Sequence, residues 1–194
     1  MEKTAVQRLA AVLRTMVLVV FVLNLLCLLL VPGFAGLVAD RELGTMLAYL
    51  REELPNYTAH TLGHALMFCL TCLWAVWMNW HSALLTVFFW LCGGCTALIL
   101  WQAKKILDTI LAGNPFQLRN ARALNRAAVC CWVISGVALL RLLWWLWHDH
   151  SIAPFFTYNA LFIPAFLMGG LLFQVMSALF RQAAELKEDQ DLTI

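Results

Sequence analysis

Two cysteine pairs share the C-x-x-C spacing, Cys69 with Cys72 and Cys92 with Cys95. In water that spacing serves thiol redox chemistry or half of a zinc site, because sulfurs on adjacent turns reach one atom. The setting opposes both uses. A reactive thiol needs a positive, accessible environment to become thiolate, whereas Cys92 and Cys95 lie in the uncharged run from Ala83 to Trp101. Cysteine is also a small apolar residue that packs well. Packing is the expected role of both pairs and of the adjacent Cys130 and Cys131. His60 and His64 stand one helical turn apart, so both imidazoles can reach one metal, and Cys69 and Cys72 follow on the same segment. Only two of these ligands have convincing spacing and no acid occupies a metal-protease position. His60 and His64 are therefore expected to be interfacial histidines and only weak metal candidates, as are His148 and His150 around Asp149.

Three polar residues interrupt long apolar runs: Asn24, Arg141 and Gln174. A charge inside a membrane span is a functional candidate by default. Arg141 lies six residues before Trp147, so its guanidinium could also extend to the outer headgroups. Asn24 and Gln174 suit hydrogen bonds between helices. The sequence holds no glycine-rich phosphate loop, nucleophile elbow or H-E-x-x-H, and no span carries a carboxylate pair. The expectation is a non-enzymatic protein without a cofactor.

Those residues need elements to hold them, and composition decides the medium. With 63% hydrophobic and 12% charged residues, the 194-residue chain has more apolar surface than a water-soluble domain can bury. Its apolar runs are long enough to cross a bilayer. The organising stretch is Lys104 to Arg126, which holds five of the thirteen Lys and Arg residues against one acid, Asp108. Short basic loops remain on the cytoplasmic side. An odd number of crossings must therefore separate this stretch from the outer segment 40–58, which holds four acids and two arginines over Asp40–Glu53. The expected spans are 16–38, 83–103, 123–147 and 160–180, within one domain covering 1–194. The first span could be mistaken for a cleaved signal, but its apolar length favours a retained helix ending near Pro32 and Gly33. Residues 59–82 are expected to form an interfacial helical segment on the outer side, with Trp74, Trp77 and Trp80 at headgroup level.

Residues 104–122 then form a cytoplasmic hairpin. Gly113, Asn114, Pro115 and Phe116 mark its turn, because glycine suits a helix end and proline disfavours helix in the residue before it. Residues 181–194 form a cytoplasmic tail. This arrangement puts ten Lys and Arg inside and two outside, with Arg141 in a span. The fold class is an all-α integral membrane protein, a four-transmembrane-helix bundle with both termini cytoplasmic. Small residues four apart, Gly93 with Ala97, Cys131 with Ser135 and Ala165 with Gly169, are the expected close contacts between helices.

Two stretches add a resemblance. Leu107-Asp108-Thr109-Ile110-Leu111-Ala112-Gly113-Asn114-Pro115-Phe116 and the terminal Glu185-Leu186-Lys187-Glu188-Asp189-Gln190-Asp191-Leu192-Thr193-Ile194 together resemble the YoaS-like bacterial membrane proteins, domain-of-unknown-function family 2975. The similarity is best from about Ala83 onward. It departs from the family at Gln117, where Ser or Thr is common, and at Asp189-Gln190, where Glu-Asn is usual. The resemblance implies four transmembrane helices in a bacterial plasma membrane and no established activity. Relatives are frequently encoded beside a small helix-turn-helix DNA-binding protein, which implies a soluble partner.

On this reading the lipid bilayer is one partner and a small helix-turn-helix regulator the other, with no direct contact to nucleic acid. Glu185, Glu188, Asp189, Asp191, Leu192 and Ile194 are the expected tail contacts, acids steering and apolar residues anchoring. A solvated helix end that frays at the terminus is the plainer reading of the same residues. A small transporter or toxin-immunity protein, with Arg141, Asn24 and Gln174 lining an interior path, is the alternative from another class. An outer metal or thiol site at His60 and His64 is the third.

Overall fold

The computed structural model describes residues 5–39, 77, 80–149 and 158–192. They form four helices, α1 (Ala5–Ala39), α2 (Trp80–Leu111), α3 (Leu118–Asp149) and α4 (Tyr158–Leu192), with no strand among the described residues. Each contains an apolar stretch of 26 to 31 residues. At about 1.5 Å per residue, such stretches exceed the ~30 Å hydrocarbon core. Large apolar side chains stand exposed along all four, from Leu9 to Leu30 on α1 and from Leu161 to Leu179 on α4. A helix that is apolar on its outward face belongs in lipid. The chain is an all-α membrane protein, with four helices among the described residues long and apolar enough to span a bilayer. Of the expected interfacial segment 59–82, residues 59–76, 78 and 79, with His60, His64, Cys69, Cys72 and Trp74, lie outside the described residues, as do His150 and the side chain of His148, whereas residues 80–82 belong to α2.

The chain divides into two compact units, Met1–Asn24 with Cys92–Ile194, and Leu25–Leu91. In the smaller unit, α1 continues through Pro32 to Ala39, so proline does not end the helix as its type predicts. Proline lacks the N–H that would bond the carbonyl four residues back, which here is Leu28. The Trp90 indole donates to that carbonyl at 3.1 Å. An unmet carbonyl in hydrocarbon is costly and a neighbouring helix can satisfy it. This contact lets α1 pass through Pro32. Trp77 packs against Trp90 with ring centroids 6.3 Å apart, while Trp77 and Trp80 stay exposed.

In the larger unit, α3 is the most buried helix. Ala121, Leu124, Ala128, Cys131, Ser135 and Leu142 are all buried, and their spacing alternates between three and four apart from one double step. That is the seam of a helix pair. Its partner is α4. Ser177 Oγ donates to the Ala121 carbonyl at 2.7 Å and Ser135 Oγ to the Ile163 carbonyl at 3.0 Å. Between them, a Cβ placed on Gly170 would lie 3.3 Å from the Ala128 carbonyl and would strike the Trp132 indole. The pairings 121–177, 128–170 and 135–163 advance seven residues on α3 and retreat seven on α4. This fixes an antiparallel heptad register. The close approach falls at Gly170, not at the expected Ala165 and Gly169. Ala165 is exposed and a Cβ on Gly169 would meet nothing within 4 Å.

Candidate functional site at the hairpin and the end of α4

Helix α2 ends as Gly113-Asn114-Pro115 predicts. Gly113 has φ +79°, its N–H bonds the Ile110 carbonyl, and the Asn114 N–H bonds the Thr109 carbonyl, each at 3.1 Å. These two reversed bonds make a Schellman motif, which uses carbonyls that a helix end would otherwise leave unmet. Pro115 then prevents continuation. Gln117 occupies the N-cap of α3, and the amides of Asn120 and Ala121 turn to its carbonyl. Its side chain type is a poor cap, and the order of the turn comes from another residue.

That residue is Asn120. It is 1% exposed, and its Nδ2 donates to Thr109 Oγ1 at 2.6 Å and to the Pro115 carbonyl at 2.7 Å. Thr109 Oγ1 in turn donates to the Ile106 carbonyl at 2.7 Å. One amide thus joins the end of α2, the turn and the start of α3. Sequence reading passed over Asn120 because it stands between Arg119 and Arg122, where an amide looks solvated.

The turn is also fastened to α4. Phe116 and Phe180 have ring centroids 5.8 Å apart, Lys187 Nζ donates to Asn114 Oδ1 at 3.3 Å, and Ala184 is buried. The tail expected from residue 181 is helical to Leu192. Arg181 Nε and Glu185 Oε1 form an i,i+4 ion pair at 2.8 Å, which supports that extension modestly. Glu185, Glu188 and Asp189 lie on exposed positions of it. Leu186 is 64% exposed and Phe116 48%. Asp191 and Leu192 belong to the helix by backbone, and Ile194 lies outside the described residues.

Helix α1 enters the same end of the unit. Arg14 Nε meets Asp108 Oδ1 at 2.6 Å, so the single acid of the basic segment is paired with an N-terminal arginine. Lys104 and Lys105 place their ammonium groups 5.1 and 5.6 Å from the Trp101 ring centroid, within cation–π range.

The interior polar residues have different surroundings. Asn24 Nδ2 donates to the Gly93 carbonyl at 3.0 Å, a bond between α1 and α2. Arg141 is half-buried on α3. Gln174 is exposed. Among the described residues, no group of three or more His, Cys, Asp and Glu side chains is arranged to hold a metal. The most organised constellation among the described residues is the hairpin end, where exposed Phe116 and Leu186 stand among charges of both signs.

No curated protein and no solved structure matches the chain. A family model does, over residues 45–194. The matched segment contains the hairpin, the α3–α4 pair and the tail, and the chain belongs to the family described as Protein of unknown function (DUF2975).

Proposed function

We propose that this is a non-enzymatic regulatory protein of a bacterial plasma membrane, with both termini and the α2–α3 hairpin in the cytoplasm. On this reading the hairpin and the end of α4 receive a small basic protein of the helix-turn-helix DNA-binding type. The charge balance supports the orientation, since the hairpin end gathers Arg14, Lys104, Lys105, Arg119, Arg122, Arg126, Arg181 and Lys187 and basic flanks remain inside.

The observation that carries the partner reading is the fastening of the hairpin to α4 through Phe116–Phe180 and Lys187–Asn114. A surface held by its own contacts loses little freedom on binding, which favours recognition. Beyond that fastening, Leu186 is exposed, with Glu188 and Asp189 on exposed positions just after it. Acids around an apolar anchor steer a basic partner and hold it by a small buried contact.

The test is affinity capture from native membranes with the full chain and with a chain truncated after Leu186. The reading expects one small basic DNA-binding protein retained by the full chain and lost on truncation. Identical catalogues lacking such a protein would remove it.

A further inference from the structure

Three arginines at the start of α3, Arg119, Arg122 and Arg126, follow one another at spacings of three and four residues, which sets them on one face of the helix. All three are exposed, and among the described residues none of them enters an ion pair or a hydrogen bond. Five other cations of the same unit are engaged: Arg14 and Arg181 hold carboxylates, Lys104 and Lys105 lie against Trp101, and Lys187 bonds Asn114. Ala121, Ala128 and Ser135 mark the side of α3 that meets α4, and at 3.6 residues per turn the arginine face points away from it.

The same face continues along the helix as exposed Val129, Val133 and Leu140, three, four and seven residues on from one another and from Arg126. One surface therefore reads three guanidiniums and then an apolar stripe. Its depth follows from Trp144, which is exposed on that face 18 residues beyond Arg126, roughly 27 Å at ~1.5 Å per residue and close to the ~30 Å hydrocarbon core. Tryptophan settles at headgroup level. With Trp144 at the far headgroups, Arg126 stands at the near edge of the hydrocarbon, and Arg122 and Arg119 stand roughly 6 and 10 Å further out, at the depth of lipid phosphates.

We propose that this face of α3 binds an anionic phospholipid of the leaflet at the hairpin end, its phosphate held by Arg119, Arg122 and Arg126 and an acyl chain laid along Val129, Val133 and Leu140. The guanidinium fork matches phosphate oxygens two at a time. A choline headgroup brings a cation that three guanidiniums repel, so the site selects phosphatidylglycerol over phosphatidylcholine. A free phosphate would meet the charges and leave the apolar stripe unused, whereas a lipid uses both. The site holds for either orientation of the chain and lies on the side of α3 turned from α4, so it stands apart from the partner reading.

The experiment uses the full chain in detergent, stripped of lipid and titrated with equal amounts of phosphatidylglycerol and phosphatidylcholine of different acyl mass, with bound lipid read by native mass spectrometry. Phosphatidylglycerol is expected to be retained in preference. Arg119→Gln, Arg122→Gln and Arg126→Gln should each lower that preference about fivefold, the scale of one basic side chain at an anionic surface, and the triple variant should abolish it. A control triple, Arg8→Gln with Lys104→Gln and Lys105→Gln, removes the same charge elsewhere and should keep the preference. In nanodiscs of the unsubstituted chain, phosphatidylglycerol with a diazirine midway along one acyl chain should label residues 129–140. Equal retention of the two lipids, equal losses in the two triple variants, or label spread evenly over the four helices would overturn the proposal.

Discussion

Asn120→Ala removes the two donors that join α2, the turn and α3, and its cost can be worked from the contacts. Asn120 donates at 2.6 and 2.7 Å from a 1% exposed position. Two such bonds contribute about 1–1.5 kcal/mol each, while the Pro115 carbonyl keeps the Gln117 N–H at 3.2 Å, so about 2–3 kcal/mol is expected. That is roughly a 30- to 150-fold fall in the folded ratio. Asn120→Asp should cost more, because a carboxylate only accepts and would face two oxygens. Reversible unfolding in mixed micelles reads both variants. A double-mutant cycle with Thr109→Val isolates the side-chain bond, for which a coupling of about 1 kcal/mol is expected. A loss below about 0.5 kcal/mol for Asn120→Ala, or Asp no worse than Ala, would refute the assignment of hairpin order to this amide.

Three further outcomes follow from other contacts. Gly170→Ala should destabilise the α3–α4 pair by about 1–3 kcal/mol through overpacking, and Trp132→Leu should relieve most of that penalty in the same unfolding assay; equal losses in both backgrounds would contradict the heptad register. Trp90→Phe should cost about 0.6–2 kcal/mol by leaving the Leu28 carbonyl unmet in hydrocarbon. Pro32→Ala, which restores an N–H to that carbonyl, should make Trp90→Phe nearly neutral, and an unchanged cost would sink the compensation. Alkaline phosphatase fused after Ile194 should be inactive and the same enzyme fused within 150–157 active, the reverse of which would invert the proposed orientation.

The four spans were legible because apolar length is a property of the sequence itself, and the end of α2 was legible because Gly113 and Pro115 act locally. The features missed depend on distant partners. Passage of α1 through Pro32 relies on Trp90, on another helix. The choice of Gly170 over Gly169 depends on where Trp132 points from α3, which spacing within α4 does not reveal. Asn120 looked solvated among arginines although Thr109 and Pro115 enclose it. Asn24 and Gln174 share a residue character in sequence yet differ in surroundings, Asn24 bonding the Gly93 carbonyl of α2 and Gln174 standing exposed on α4. The fastening of the tail helix to the hairpin was not legible either, because Lys187 meets Asn114 seventy-three residues away.

The most direct measurement of the partner reading is photo-crosslinking in living bacteria from two positions, Phe116 in the hairpin and Leu186 in the tail helix, each replaced in turn by a photoreactive phenylalanine. Both are exposed and flank the fastening between the hairpin and α4, so a partner seated there must touch both. The account predicts that both positions capture the same small basic DNA-binding protein. Lipid adducts alone, different soluble proteins at the two sites, or a protein from the outer side of the membrane would contradict it.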